Sequence, residues 1–171
     1  MFYIVVNNNA TEYHFDYLKD SPMQNRIDPT LVNGIPKESK LIEPKFHKVF
    51  AIDLMSKEIL SLKTTDTFLD VKKILSSHSI HHIPVIDKEK LMGLITTTRL
   101  QAKGKIEDKI EVKELMEETV LCAHEDTPLE HILKIFINEK IHSILLLNKD
   151  LDVSGILTQN DVFKWVLKSR I

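Results

Sequence analysis

A single cysteine, Cys122, excludes a disulfide framework and fits a reducing compartment. Four glycines in 171 residues leave little material for glycine-rich phosphate or dinucleotide turns, and neither a P-loop nor a G-x-S-x-G elbow is present. No apolar run approaches the roughly 18 residues a membrane helix needs. The opening MFYIVVNNN lacks a basic flank and a small-residue cleavage site, so it reads as a poor signal peptide. A net charge of −2 gives no general attraction to nucleic acid. These absences predict a soluble, cytoplasmic chain that is not an enzyme and has neither a membrane nor a nucleic-acid partner. What is present is 43% hydrophobic content, enough for one ordinary domain or two small ones sharing a core.

The chain repeats itself. GLITTTR at 93–99 and GILTQND at 155–161 share a glycine, two aliphatics and a threonine, but end on opposite charges, Arg99 and Asp161. Working outward, DLM at 53–55 matches ELM at 114–116, and SIHHIPVID at 79–87 matches KIHSILLLN at 140–148. The copies span about 51–100 and 112–167, joined by a charged connector, QAKGKIEDKIEVK.

Each copy predicts the same elements. A short β segment, Ile59–Leu62 or Val120–Ala123, precedes a helix. In the second copy Thr127, Pro128 and Glu130 read as N-cap, first helical position and capping-box acid. Leu129, Ile132, Leu133 and Phe136 then fall on one helical face, as do Phe68, Val71, Ile74 and Leu75 in the first copy. Two apolar strands follow, Ile83–Asp87 and Leu91–Thr96, matched by Ser143–Asn148 and Val153–Thr158, and a last helix begins at the threonine. A β-α-β-β-α unit of about 55 residues is too small to bury its own faces. Two copies therefore imply an α+β fold with the sheets packed face to face about a pseudo-twofold axis, and a cleft between them.

Carried by DLMSKEILSL, SIHHIPVID and GLITTTR, and again by ELMEETVLCA, KIHSILLLN and GILTQND, each repeat resembles a cystathionine-β-synthase (CBS) domain. The tandem resembles a CBS pair, or Bateman module. The resemblance divides the chain into an N-terminal arm at 1–45, repeat 1 with its connector at 46–111, and repeat 2 at 112–171. It implies a regulatory module for an adenosine nucleotide (AMP, ADP or ATP), with no required cofactor. It also implies a homodimer built as a four-domain disk, and leaves a further protein partner open. By this resemblance the intact site joins Ile156, Thr158, Asn160 and Asp161 of repeat 2 to Ile59, Leu60, His81, His82, Ile83 and Pro84 of repeat 1. A weaker site joins Thr96 and Arg99 to Val120, Leu121, His142, Ser143 and Ile144, with Leu145 where the first site has proline.

The chemistry of the repeated phrase has two readings. Thr158 and Asp161 form a capping box that needs no ligand. Alternatively, a helix N-terminus with a hydroxyl favours phosphate, and a carboxylate, an acceptor only, takes ribose hydroxyls. Arg99 has donors only and cannot replace Asp161. A module that dimerises and docks on a partner without a nucleotide is the alternative function. His78, His81 and His82 form H-x-x-H-H, but no ligand set completes it and no metal is expected. Cys122 is read as a packed thiol and Trp165 as a core or dimer-contact residue. In the arm, MFYIVV and TEYHF flank NNNA as a hairpin, and 20–45 read as an extended segment.

Overall fold

The computed structural model describes residues 1–19 and 49–169. The extended segment expected at 20–45 therefore lies outside the described residues. The expected hairpin is present: β1 (Phe2–Val6) and β2 (Asn9–Tyr13) pair antiparallel. Asn7 and Asn8 turn it at φ 46° and 66°, a region asparagine tolerates better than most residues.

The hairpin does not stand apart from the repeats. β1 pairs antiparallel with β5 (Thr119–His124) and extends the sheet of repeat 2 to the order β2-β1-β5-β6-β7. β6 (Ser143–Leu147) runs parallel to β5 and antiparallel to β7 (Val153–Thr158). Repeat 1 has only a two-stranded sheet, β3 (His82–Asp87) with β4 (Lys90–Thr96). The strand expected at Ile59–Leu62 is reduced to one parallel bridge, Leu62 to Val85. Its counterpart β5 has partners on both sides, whereas this segment has one neighbour, and Ile59 and Leu60 turn to a cleft instead.

The helices follow the expected faces. α2 (Phe68–Ser77) starts at a complete capping box, in which Thr67 donates from its amide and hydroxyl to Asp70 Oδ2. That bond and the ammonium of Lys73, the larger cause, hold the Asp70 carboxyl down to about 2. α5 (Leu129–Asn138) buries Leu129, Ile132, Ile135 and Phe136. Its expected cap is corrected: the Thr127 hydroxyl donates to the Met1 carbonyl at 3.2 Å and makes no cap bond. Thr127 is fully buried beneath the N-terminal strand, so its hydroxyl takes the partner the hairpin supplies.

The two sheets meet face to face. One core cluster joins Val5, Val120, Cys122, Leu145 and Leu147 of the larger sheet to Leu91 of the smaller. Cys122 is the packed thiol expected, with burial pushing it up to about 12.

The remaining helices show an exchange that the sequence does not announce. α1 (Ala51–Leu54) opens repeat 1, yet Ser56 just beyond it bridges to Ile156 of β7 in repeat 2. α4 (Val112–Leu115) opens repeat 2, yet Glu117 bridges to Leu94 of β4 in repeat 1. This explains the glycine of each repeated phrase. A Cβ on Gly93 would lie 2.6 Å from the Glu117 carbonyl oxygen. A Cβ on Gly155 would collide with the Met55 thioether and lie 3.1 Å from the Ser56 carbonyl oxygen. Glycine thus admits the opening segment of the opposite repeat.

Candidate ligand cleft

Each threonine of the repeated phrase ends a strand and caps a helix. Thr96 lies between β4 and α3 (Thr97–Lys103), and Thr158 between β7 and α6 (Gln159–Lys168). Extended backbone at the threonine followed by helix leaves early amides unpaired, and the hydroxyl answers them. Arg99 N donates to Thr96 Oγ1 at 3.2 Å, and Asp161 N to Thr158 Oγ1 at 3.3 Å. At α6 the box is closed from the other direction. Thr158 donates to Asp161 Oδ2 from its hydroxyl at 2.6 Å and from its amide at 3.0 Å.

The α6 terminus opens on a cleft of about 630 Å³ lined by both repeats. Ile156, Thr158, Asn160 and Asp161 line one side, and Ile59, Leu60, His81, His82 and Pro84 the other. Ile83 does not reach it. Strand alternation turns Ile83 inward, where it is fully buried in the core of repeat 1. The cleft holds further residues that the sequence reading missed: Ser56, Glu58, Ser79, Thr97, Thr98, Gln159, Phe163 and Lys164 among them. Ser56 was legible only through the exchange of opening segments. Phe163 and Lys164 follow Asp161 by two and three residues, near enough on the first turns of α6 to share its cleft.

The residues expected to form the second site do not come together. His142 and Ser143 line the first cleft. Val120 and Ile144 are core residues, and Leu121 packs against the core of repeat 2. Val120 and Leu121 are held by β5 between β1 and β6, and Ile144 by β6 between β5 and β7, so all three pack against the core. Arg99 lines a separate polar cleft with Lys113, Glu114, Met116, Glu117, Glu118 and Thr119. There its Nε donates to the Leu115 carbonyl at 3.2 Å, and Thr96 Oγ1 donates to Glu117 Oε1 at 3.2 Å.

Charge in the first cleft is mixed. His81 shares a contact with Thr97, and His142 with Gln159, at pseudo-equivalent positions. His82 is held below its ordinary value, first by burial and then by His81 and His142, against an opposing pull from Glu117. Glu58 and Asp161 supply negative charge and Lys164 positive. Among the described residues no group of three histidine, cysteine or acidic side chains is placed to hold a metal. Among them, too, no helix is long and apolar enough to cross a membrane.

Known proteins are similar to this chain in sequence and in fold. It is 29% identical over 137 residues to inosine-5′-monophosphate dehydrogenase of Methanocaldococcus jannaschii, covering 77% of this chain and 27% of that protein. It is 31% identical over 111 residues to L-aspartate semialdehyde sulfurtransferase of the same organism, covering 64% and 22%. The chain thus spans about a quarter of the length of these relatives. The crystal structure of the CBS domain pair of protein MJ0100, in complex with 5′-methylthioadenosine and S-adenosyl-L-methionine, superimposes with a TM-score of 0.61 at 28% identity. That match covers 71% of this chain and 98% of the other. The CBS domain model matches residues 51–102 and 112–168, more than half the chain and both repeats, so the protein belongs to the CBS domain family as a tandem pair.

Proposed function

We infer that the protein is a regulatory module that binds an adenosine ligand in the cleft between its repeats. The observation that carries this reading is the placement of Thr158 and Asp161 at the start of α6, across one cleft from Ile59, Leu60 and Pro84. The aliphatic side chains and the proline offer flat apolar contact to a base. Both bonds from Thr158 to Asp161 fall on Oδ2, so Oδ1 is the oxygen available to a ribose hydroxyl. The α6 amides, with Lys164 and the histidines nearby, suit a phosphate on the same nucleoside. AMP, ADP and ATP are the ligands this arrangement favours. The similar pair of MJ0100 binds adenosine compounds, which supports the class.

The reading contains no catalytic step, and it places the protein in the cytoplasm. Output is a shift between two pair geometries for which the ligand has different affinity. Phe163 and Leu167, one turn apart on α6, are 61% and 69% exposed and suit a helix-to-helix homodimer. A second reading, a docking module without a nucleotide, is favoured by the α6 capping box, in which Thr158 and Asp161 satisfy each other within the helix start.

Thermal melting separates the two. AMP, ADP, ATP, S-adenosylmethionine and 5′-methylthioadenosine are each added to wild type and Asp161→Ala. A ligand at about 100 times its Kd adds about 2.7 kcal/mol, several degrees for a chain of this size. The sensor reading expects a shift with an adenosine ligand that Asp161→Ala loses. The docking reading expects no shift with any of them, and a loss of only about 1 kcal/mol on removing the cap.

A further inference from the structure

The two clefts are built on the same backbone. Ser56 N donates to Ile156 O at 2.9 Å, and Ile156 N returns a bond to Ser56 O at 3.0 Å. In the other half Glu117 N donates to Leu94 O at 2.8 Å, and Leu94 N returns a bond to Glu117 O at 2.9 Å. Ser56 and Glu117 are therefore equivalent positions, each delivered by the opening segment of one repeat onto the last strand of the other. Their side chains differ in reach. The Glu117 carboxylate extends to the cap of α3 and accepts from Thr96 Oγ1. Ser56 is too short to do the same at Thr158, whose hydroxyl donates to Asp161 on its own helix. The carboxylate that meets the cap threonine is thus supplied within the repeat in one half and across the repeats in the other. The charge reversal from Asp161 to Arg99 accompanies this change, and the Arg99 guanidinium is tied to the Leu115 carbonyl of the same opening segment.

We propose that Glu117 is an internal plug at the cap of α3: its carboxylate, seated on Thr96 beside the anchored Arg99, takes the cap hydroxyl and sets a negative charge in the second cleft, so the chain takes one ligand, not two. Occupancy rests on the adenosine-binding reading above; the closing contact itself does not. It assigns a role to Glu117 and an occupancy to each half of the pair. Asymmetry of ligand response then comes from one residue facing each cap, serine where the cleft takes the ligand and glutamate where it does not.

Three measurements test it. The first needs no ligand: melting of Thr96→Val, Glu117→Gln and the double variant. A shared contact makes the double variant lose clearly less than the two single losses together. Strictly additive losses overturn the contact. The second is calorimetric titration of the full chain with AMP and, in parallel, 5′-methylthioadenosine. One site per chain is expected, and two equal sites overturn the plug. The third moves the plug: Ser56→Glu is expected to weaken binding of the same probe at least tenfold, and more than Ser56→Gln, which has the same length without the charge. Wild-type affinity in Ser56→Glu overturns the mechanism. If wild type binds neither probe, the adenosine reading fails, and the ligand-free melting series alone decides whether Glu117 holds Thr96.

Discussion

The first long helices of the two repeats show the same apolar spacing and end in different surroundings. α5 buries Leu129, Ile132, Ile135 and Phe136, whereas α2 buries Val71 alone among its residues. The difference comes from outside either repeat. The N-terminal hairpin adds two strands to the sheet of repeat 2 and sends Phe2, with Phe15 beyond it, into the core under α5. Their rings meet edge to face, with centroids 5.5 Å apart. Repeat 1 receives no such addition among the described residues. Periodicity fixes which face of a helix is apolar, but the depth at which that face is buried depends on what else the chain brings to it.

The largest expected effect follows directly. Ile132→Ala removes a fully buried side chain from the core of repeat 2 and is expected to cost about 2–5 kcal/mol. Ile74→Ala, on the half-buried face of α2, is expected to cost about 1 kcal/mol. Denaturant midpoints at constant slope measure both, and equal losses would break the asymmetry. Next come the two glycines. Gly93→Ala drives a methyl group toward a backbone carbonyl that cannot rotate away, and about 1–3 kcal/mol is expected. Gly155→Ala meets mainly the flexible end of Met55 and should lose less. The reverse order would mean that Met55 is held more firmly than the Glu117 backbone.

Much of this was legible in the residues. The strands at 82–87, 90–96, 143–147 and 153–158 follow from apolar runs bounded by polar turns, and both caps follow from threonine before a helical period. The resemblance to a CBS pair grouped Thr158, Asp161, Ile59, Leu60, His81, His82 and Pro84, all of which line one cleft, and their binding role is the proposal made above. Most of the misses share one physical cause, a partner distant in sequence, whereas Ile83 is turned inward by local strand alternation. Ile59–Leu62 has the composition of a strand but lacks a second neighbour to pair with. Thr127 has the context of a cap but lies beneath Met1. His142 and Ser143 face the open cleft, not their own, and Glu117 reaches across the repeats to Thr96. Local pattern specifies elements, whereas the exchange of opening segments is set by packing at long range.

The smallest expected effect concerns pH and again sets one repeat against the other. His82 is the ladder partner of Thr96, and in repeat 2 Ser143 is the ladder partner of Thr158. Burial is the main reason the His82 imidazole resists protonation, the positive charges of His81 and His142 add to it, and Glu117 opposes it. The unfolded chain regains an ordinary histidine near 6.5, so below that pH it takes up more protons than the folded one. Stability is therefore complete above about pH 6.5 and declines as pH falls toward the folded-state value. His131, lowered first by burial and then by Lys134, contributes in the same direction. His82→Ser places the repeat 2 residue in repeat 1 and removes one share of this decline. Any packing change shifts the variant equally at every pH, so the test lies in the difference between wild type and variant. That difference should be constant above about pH 6.5, and below it wild type should lose ground steadily. A difference that stays flat down to pH 5 would show that His82 remains free to protonate in the fold, and that the two ladder positions differ in size but not in electrostatic consequence.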